Sequence, residues 1–165
     1  MAKISNGMKV LFAADHAGFE LKEKLVMFVG ELGYDVEDLG AHGLDPLDDY
    51  PDYVSLVAKR VSNDPDNTRG IILGGSGQGE AIVANRFPNV RAIVFYGQHE
   101  SLNRRAETSI VQLGRLHNNA NILSLGARFL DDVEVKVAVK DWLETEFSRE
   151  GRHVRRIKKI EDYPK

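Results

Sequence analysis

The chain has 165 residues, 42% of them hydrophobic and 28% charged, with a net charge of −3. That length supports one domain with a sizeable core, and that balance excludes a strongly basic nucleic-acid or polybasic membrane-surface protein. There is no cysteine, which excludes disulfides, thiolate metal sites and a cysteine nucleophile and agrees with a cytoplasmic location.

Residues 1–7 read as a loose leader. Val10–Ala14 is a short apolar run, read as a first, buried strand; it ends at Asp15-His16, too soon for a signal peptide. Leu21, Leu25, Phe28, Val29 and Leu32 recur at helical spacing. Glu20 and Lys24 are placed as an i,i+4 pair on the outer face, and Gly33 closes the helix. Tyr34–Leu39 is a second strand and Gly40–Tyr50 a polar loop. A helix over Asp52–Val61 turns Tyr53, Leu56, Val57 and Val61 inward. Ile71–Leu73 is strand three, Val90–Phe95 strand four and Ile122–Leu125 strand five. The long polar segment Tyr96–Leu116 is expected to be helical in part. Val133, Val135, Val137 and Val139 alternate as a strand would, yet Val135, Ala138, Val139 and Trp142 fit one helix face. With Asp131-Asp132 as a cap, the helix is chosen. The tail from Arg152 is basic and helical. No apolar run approaches the ~20 residues of a membrane span.

Strands alternating with helices predict an α/β fold, a three-layer, Rossmann-like, doubly wound five-stranded parallel sheet. No repeat or internal linker interrupts it, so residues 1–165 read as one domain with a basic tail over 150–165. In such sheets ligands bind beyond the carboxyl ends of the strands. Asp15-His16 follows strand one and a glycine loop follows strand three, so both lie on that rim.

The loop is the strongest chemical signal. Gly74-Gly-Ser-Gly-Gln-Gly-Glu80 holds four glycines between positions 74 and 79, then a carboxylate. A strand, a glycine loop and a helix start aim backbone N–H groups at one point, which suits an anion or a developing oxyanion. No Gly-Lys-Ser/Thr follows, and the dinucleotide fingerprint would need glycine at position 80. A structural turn is the plain alternative for the glycines, as capped-helix geometry is for Asp15-His16. His117-Asn118-Asn119 can be a polar turn, and Arg128 stands just past strand five, where a bidentate anion contact is available. Arg152 and Arg156, four apart, share a helix face and could clamp a phosphate; a solvated basic face is the alternative. The five histidines show no metal-ligand spacing, so no catalytic metal and no cofactor are expected.

These segments, in this order, resemble the ribose-5-phosphate isomerase B family, which includes allose-6-phosphate and galactose-6-phosphate isomerases. The matching pieces are Ala14-Asp-His-Ala-Gly18, Asp49-Tyr-Pro51, Gly74–Asn85, His117-Asn-Asn119, Leu125-Gly-Ala-Arg128 and Arg152-His-Val-Arg-Arg156, from Met8 onward. The family uses either a cysteine at the first loop position, here Gly74, or a glutamate after the loop, here Glu80. The resemblance therefore implies a glutamate-type aldose–ketose isomerase acting through an enediolate. It implies Glu80 as base and His117 as the acid for ring opening. Asp15 and His16 would contact the sugar, and the backbone of Gly75, Ser76, Gly77, Gln78 and Gly79 the enediolate oxygens. Asn118, Arg128, Arg152 and Arg156 would hold hydroxyls and phosphate. Glu80 near a helix N-terminus is expected to stay ionised, with burial opposing. The resemblance also implies a sugar-phosphate substrate and a homodimer, with a tetramer left open, and no nucleic-acid or membrane partner. Tyr96–Leu116 is about ten residues longer than the usual family segment. A hexose-6-phosphate isomerase and a non-catalytic sugar-phosphate binding module remain the competing readings.

Overall fold

The computed structural model describes residues 7–99 and 108–164. The leader, apart from Gly7, and part of the long 96–116 segment lie outside the described residues. Five strands form one sheet in the order β2-β1-β3-β5-β4, where β1 is Lys9–Ala14, β2 Asp35–Asp38, β3 Thr68–Gly74, β4 Ala92–Phe95 and β5 Ile122–Gly126. Every pairing is parallel, as the alternation of strands and helices predicts.

Parallel strands covered on both faces must be apolar on both. In β1, Val10, Phe12 and Ala14 enter one core with Leu25 and Val29 of α1 (Phe19–Glu31) and with Val135, Val139 and Trp142 of α5 (Asp132–Glu144). Leu11 and Ala13 enter the other, with α2 (Tyr50–Asn63) and α3 (Gln78–Ala84). Two further helices are α4 (Ile110–Asn118) and α6 (Gly151–Glu161). No helix among the described residues is long and apolar enough to cross a membrane.

The helical reading of the valine-rich segment holds. Asp131 caps α5 by accepting from Val133 N at 2.9 Å and Glu134 N at 2.8 Å. Val133 and Val137 face solvent while Val135 and Val139 are fully buried, so the apparent alternation is two helical faces read together. In α2 the buried stripe is Val54, Val57, Ala58 and Val61, an unbroken helical face. Leu56, expected inside, is instead exposed. Lys24 is drawn to Asp132 at 2.8 Å, where the sequence suggested Glu20, because α5 packs beside α1. Lys22 is completely buried; its ammonium meets Asp38 and Glu23 and lies 5.3 Å from the Phe19 ring centre. Nothing in the helical pattern announced that.

From β1 the chain steps outward to β2, then returns to lay β3 on the other side of β1. The crossovers part at the carboxyl ends of β1 and β3, which opens a crevice there. β5, not β4, lies beside β3, and this brings the turn after β5 to the glycine loop.

Candidate active site

The loop between β3 and α3 is held from two sides. Gly77 turns at φ +75°, a left-handed conformation that favours glycine, and its carbonyl accepts from the buried Ser124 hydroxyl at 2.6 Å. The Gly75 carbonyl accepts from the Arg128 N–H at 3.1 Å. Glu80 sits in the first turn of α3 and is 4% exposed. Its carboxylate fills the space beside Gly74, where a Cβ would stand 1.6 Å from Oε1. Burial pushes the Glu80 carboxyl above its ordinary range; a hydrogen bond from its own backbone N–H opposes this, and the negative Asp15 adds to it. The opposition between helix end and burial expected at Glu80 is thus present, and burial is the larger influence.

A cleft of about 480 Å³ opens above these ends. It gathers Asp15, His16, Gly75, Ser76, Gly79, Glu80 and Arg128. Gly77 and Gln78 continue the same loop into α3. Asp15 serves two purposes, since its Oδ1 accepts from Ala17 N at 3.0 Å and Gly18 N at 3.3 Å while the residue walls the cleft. Tyr50 and Phe129 also line it. Neither was singled out from the sequence, although Tyr50 lies within the Asp-Tyr-Pro segment.

His16 is tied to Asp48, whose Oδ1 accepts from the His16 backbone N–H at 3.0 Å and lies 2.7 Å from ring Nδ1. The Asp48 contact raises the His16 pKa first of all; burial and Arg128 lower it, while the charges of Asp15 and Asp48 add to the rise. Asp15, His16 and Asp48 place one polar atom each within 4.8 Å of one another. Within this group His16 and Asp48 are hydrogen-bonded through Nδ1, while Asp15 Oδ2 stands 3.9 Å from that nitrogen. Asp48 escaped sequence reasoning because it is one of several aspartates in a polar loop.

The remaining predicted residues lie elsewhere on the chain. His117, in the last turn of α4, stacks its ring on His153 of α6, with centres 4.3 Å apart and planes 13° off parallel. His153 is 3% exposed, and its pKa is lowered by burial and then by His117 and Arg152. Arg152 donates to Glu150 at 2.9 Å, and Arg152 and Arg156 are both exposed. Asn118 borders a separate groove with Arg86, Arg91 and Tyr163. None of His117, Asn118, Arg152 and Arg156 lines the Glu80 cleft within one chain.

A parallel α/β sheet with a glycine loop and a buried carboxylate at its switch point places a polar cleft where doubly wound folds bind small molecules. The model of the Ribose/Galactose Isomerase family matches residues 10–160, and the chain belongs to that family. Ribose-5-phosphate isomerase B from Mycolicibacterium paratuberculosis is 38% identical over 156 residues, covering 94% of this chain and 91% of the relative. A crystal structure of ribose-5-phosphate isomerase B from Mycoplasma genitalium with bound ribulose-5-phosphate superposes with a TM-score of 0.84 at 36% identity, covering 94% of this chain and 95% of that one. Ribose-5-phosphate isomerase B from Clostridium thermocellum gives a TM-score of 0.82 at 36% identity, covering 94% and 96%.

Proposed function

We propose that the chain interconverts ribose 5-phosphate and ribulose 5-phosphate, with Glu80 as the base. The observation that carries this reading is the buried Glu80 carboxylate set against the glycine loop, in a cleft that also presents Arg128 and His16. Burial raises the carboxyl pKa toward the working range of a general base. Glu80 takes the proton from the carbon beside the open-chain carbonyl. Electrons move into a carbon–carbon double bond and the carbonyl oxygen becomes an enediolate oxyanion. The hydroxyl proton on the carbon that lost its hydrogen passes to the oxyanion, that carbon becomes the new carbonyl, and the same carboxyl returns its proton to the former carbonyl carbon. The loop N–H groups stabilise the oxyanion without having to reorganise.

Ring opening is assigned to His117, with Asn118, Arg152 and Arg156 holding substrate from a second subunit. The division of these residues from the Glu80 cleft supports a homodimer in which each site is built from two chains.

Proton NMR of ribose 5-phosphate incubated with the protein in D2O tests the chemistry. The signal of the proton on the carbon beside the carbonyl should decay with the wild-type protein and persist with Glu80→Gln. Saturable binding without exchange would replace the reading with that of a binding module.

A further inference from the structure

Asp48 stands in the loop between β2 and α2. Its side chain is 4% exposed, and its second oxygen, Oδ2, is buried with no hydrogen-bond partner among the described residues. An ionised carboxylate so placed is costly unless a charge answers it. A loop tie alone would need only the bond from the His16 backbone N–H. Oδ1 also meets the His16 ring at 2.7 Å. Because a carboxylate only accepts, Nδ1 must carry the hydrogen, and Nε2 is the free ring nitrogen.

We propose that Asp48 is a positioning residue that fixes the His16 ring by Nδ1 and leaves Nε2 for the anionic group of the substrate. This rests on the isomerase reading above. The charged groups around His16 are Asp15 from the end of β1, Asp48 from the loop before α2 and Arg128 from the turn after β5. Glu80 of α3 and Tyr50 of α2 line the same cleft. Two carboxylates beside one guanidinium favour the imidazolium, and the direction of the His16 shift agrees. Protonated, Nε2 donates to a phosphate oxygen beside Arg128; neutral, it cannot donate. Asp48 thereby sets the pH at which the cleft loses one of its cations.

The test pairs ¹⁵N NMR of the substrate-free protein with the pH dependence of KM and kcat for ribose 5-phosphate, in the wild type and in Asp48→Asn. Asparagine keeps an acceptor oxygen and removes the charge. The wild type should show His16 protonated at Nδ1 when neutral, and titrating at higher pH than in Asp48→Asn. Its KM should rise as His16 loses its proton. In Asp48→Asn that rise moves to lower pH, and between the two transitions KM increases by roughly tenfold, the loss of one charge-assisted hydrogen bond to the phosphate, while kcat changes far less. A wild-type His16 protonated at Nε2 when neutral overturns the proposal even if the variant fails to fold. So do identical His16 titrations in the two proteins, or coincident KM profiles. If neither protein turns over the sugar, the isomerase reading fails, while the NMR titration still judges the Asp48–His16 pair.

Discussion

The carboxylate of Glu80 and a side chain at position 74 exclude one another. A Cβ on Gly74 would stand 1.6 Å from Oε1 and 2.2 Å from Cδ of Glu80. The resemblance described above gives the family two bases, a cysteine at that loop position or a glutamate after the loop. Here the glutamate fills the volume that a side chain at 74 would take. Gly74→Ala should push Glu80 aside and lower kcat by roughly one to two orders of magnitude, within the ordinary worth of a general base. Overpacking should cost about 1–3 kcal/mol. Gly74→Cys combined with Glu80→Ala should recover part of the turnover and become sensitive to a thiol alkylating agent. Kinetics and melting curves of the three proteins check both expectations.

Glu80 should illustrate a conflict between activity and stability. Its folded pKa is raised above the ordinary 4.5, chiefly by burial. Below that ordinary value the group is protonated in both states and folding incurs no charge penalty. As pH rises toward the folded pKa the unfolded chain ionises more readily, and stability is lost. Glu80→Gln should therefore melt higher than the wild type at neutral pH, with the advantage vanishing in acid, while kcat collapses and KM changes little. Thermal melts at a series of pH values read this directly.

If each site is shared between subunits, two dead chains can complement. A dimer of one Glu80→Gln chain and one His117→Ala chain would hold one doubly damaged site and one intact site. Random mixing should then return about a quarter of wild-type activity, since half the dimers are mixed and half of their sites are whole. Activity that stays at the level of the separate variants would place Glu80 and His117 in unshared sites.

Ser124 is fully buried beneath the loop and donates to the Gly77 carbonyl at 2.6 Å. Ser124→Ala leaves that carbonyl with only the bond from the Ala81 N–H at 3.2 Å, at a cost of about 0.5–1.5 kcal/mol. Because the loop N–H groups are expected to act on the enediolate rather than on the ground-state sugar, kcat should fall more than KM rises. Steady-state kinetics and a denaturation curve separate the two effects.

The five strands and their parallel, two-sided cover were legible because short apolar runs such as Val10 to Ala14 and Ile71 to Leu73, alternating with helical patterns, report burial; the order of the strands, with β5 beside β3, was not, because it depends on where each crossover packs. The Glu80 cleft was legible because its parts sit at strand ends, where topology converges. Three kinds of feature stayed hidden. Leu56 could be assigned inward because one apolar residue beside a true stripe shifts the apparent face. Lys22 gave no sign of burial, since its partner Asp38 becomes a neighbour of its ammonium only once β2 lies beside α1. Asp48 looked like any loop aspartate, because its importance is a contact with His16 across 32 positions of sequence. Nor could spacing reveal that His117, Arg152 and Arg156 stand apart from Glu80 within one chain, because their separation is set by where α4 and α6 pack.

The most direct test of the central claim is conversion of ribose 5-phosphate to ribulose 5-phosphate by the purified protein, with Glu80→Gln and allose 6-phosphate in parallel. The account predicts turnover of the pentose phosphate that is lost in a folded Glu80→Gln variant. Full activity in that variant would contradict the assigned base, and no turnover of the pentose phosphate by the wild type would contradict the proposed reaction.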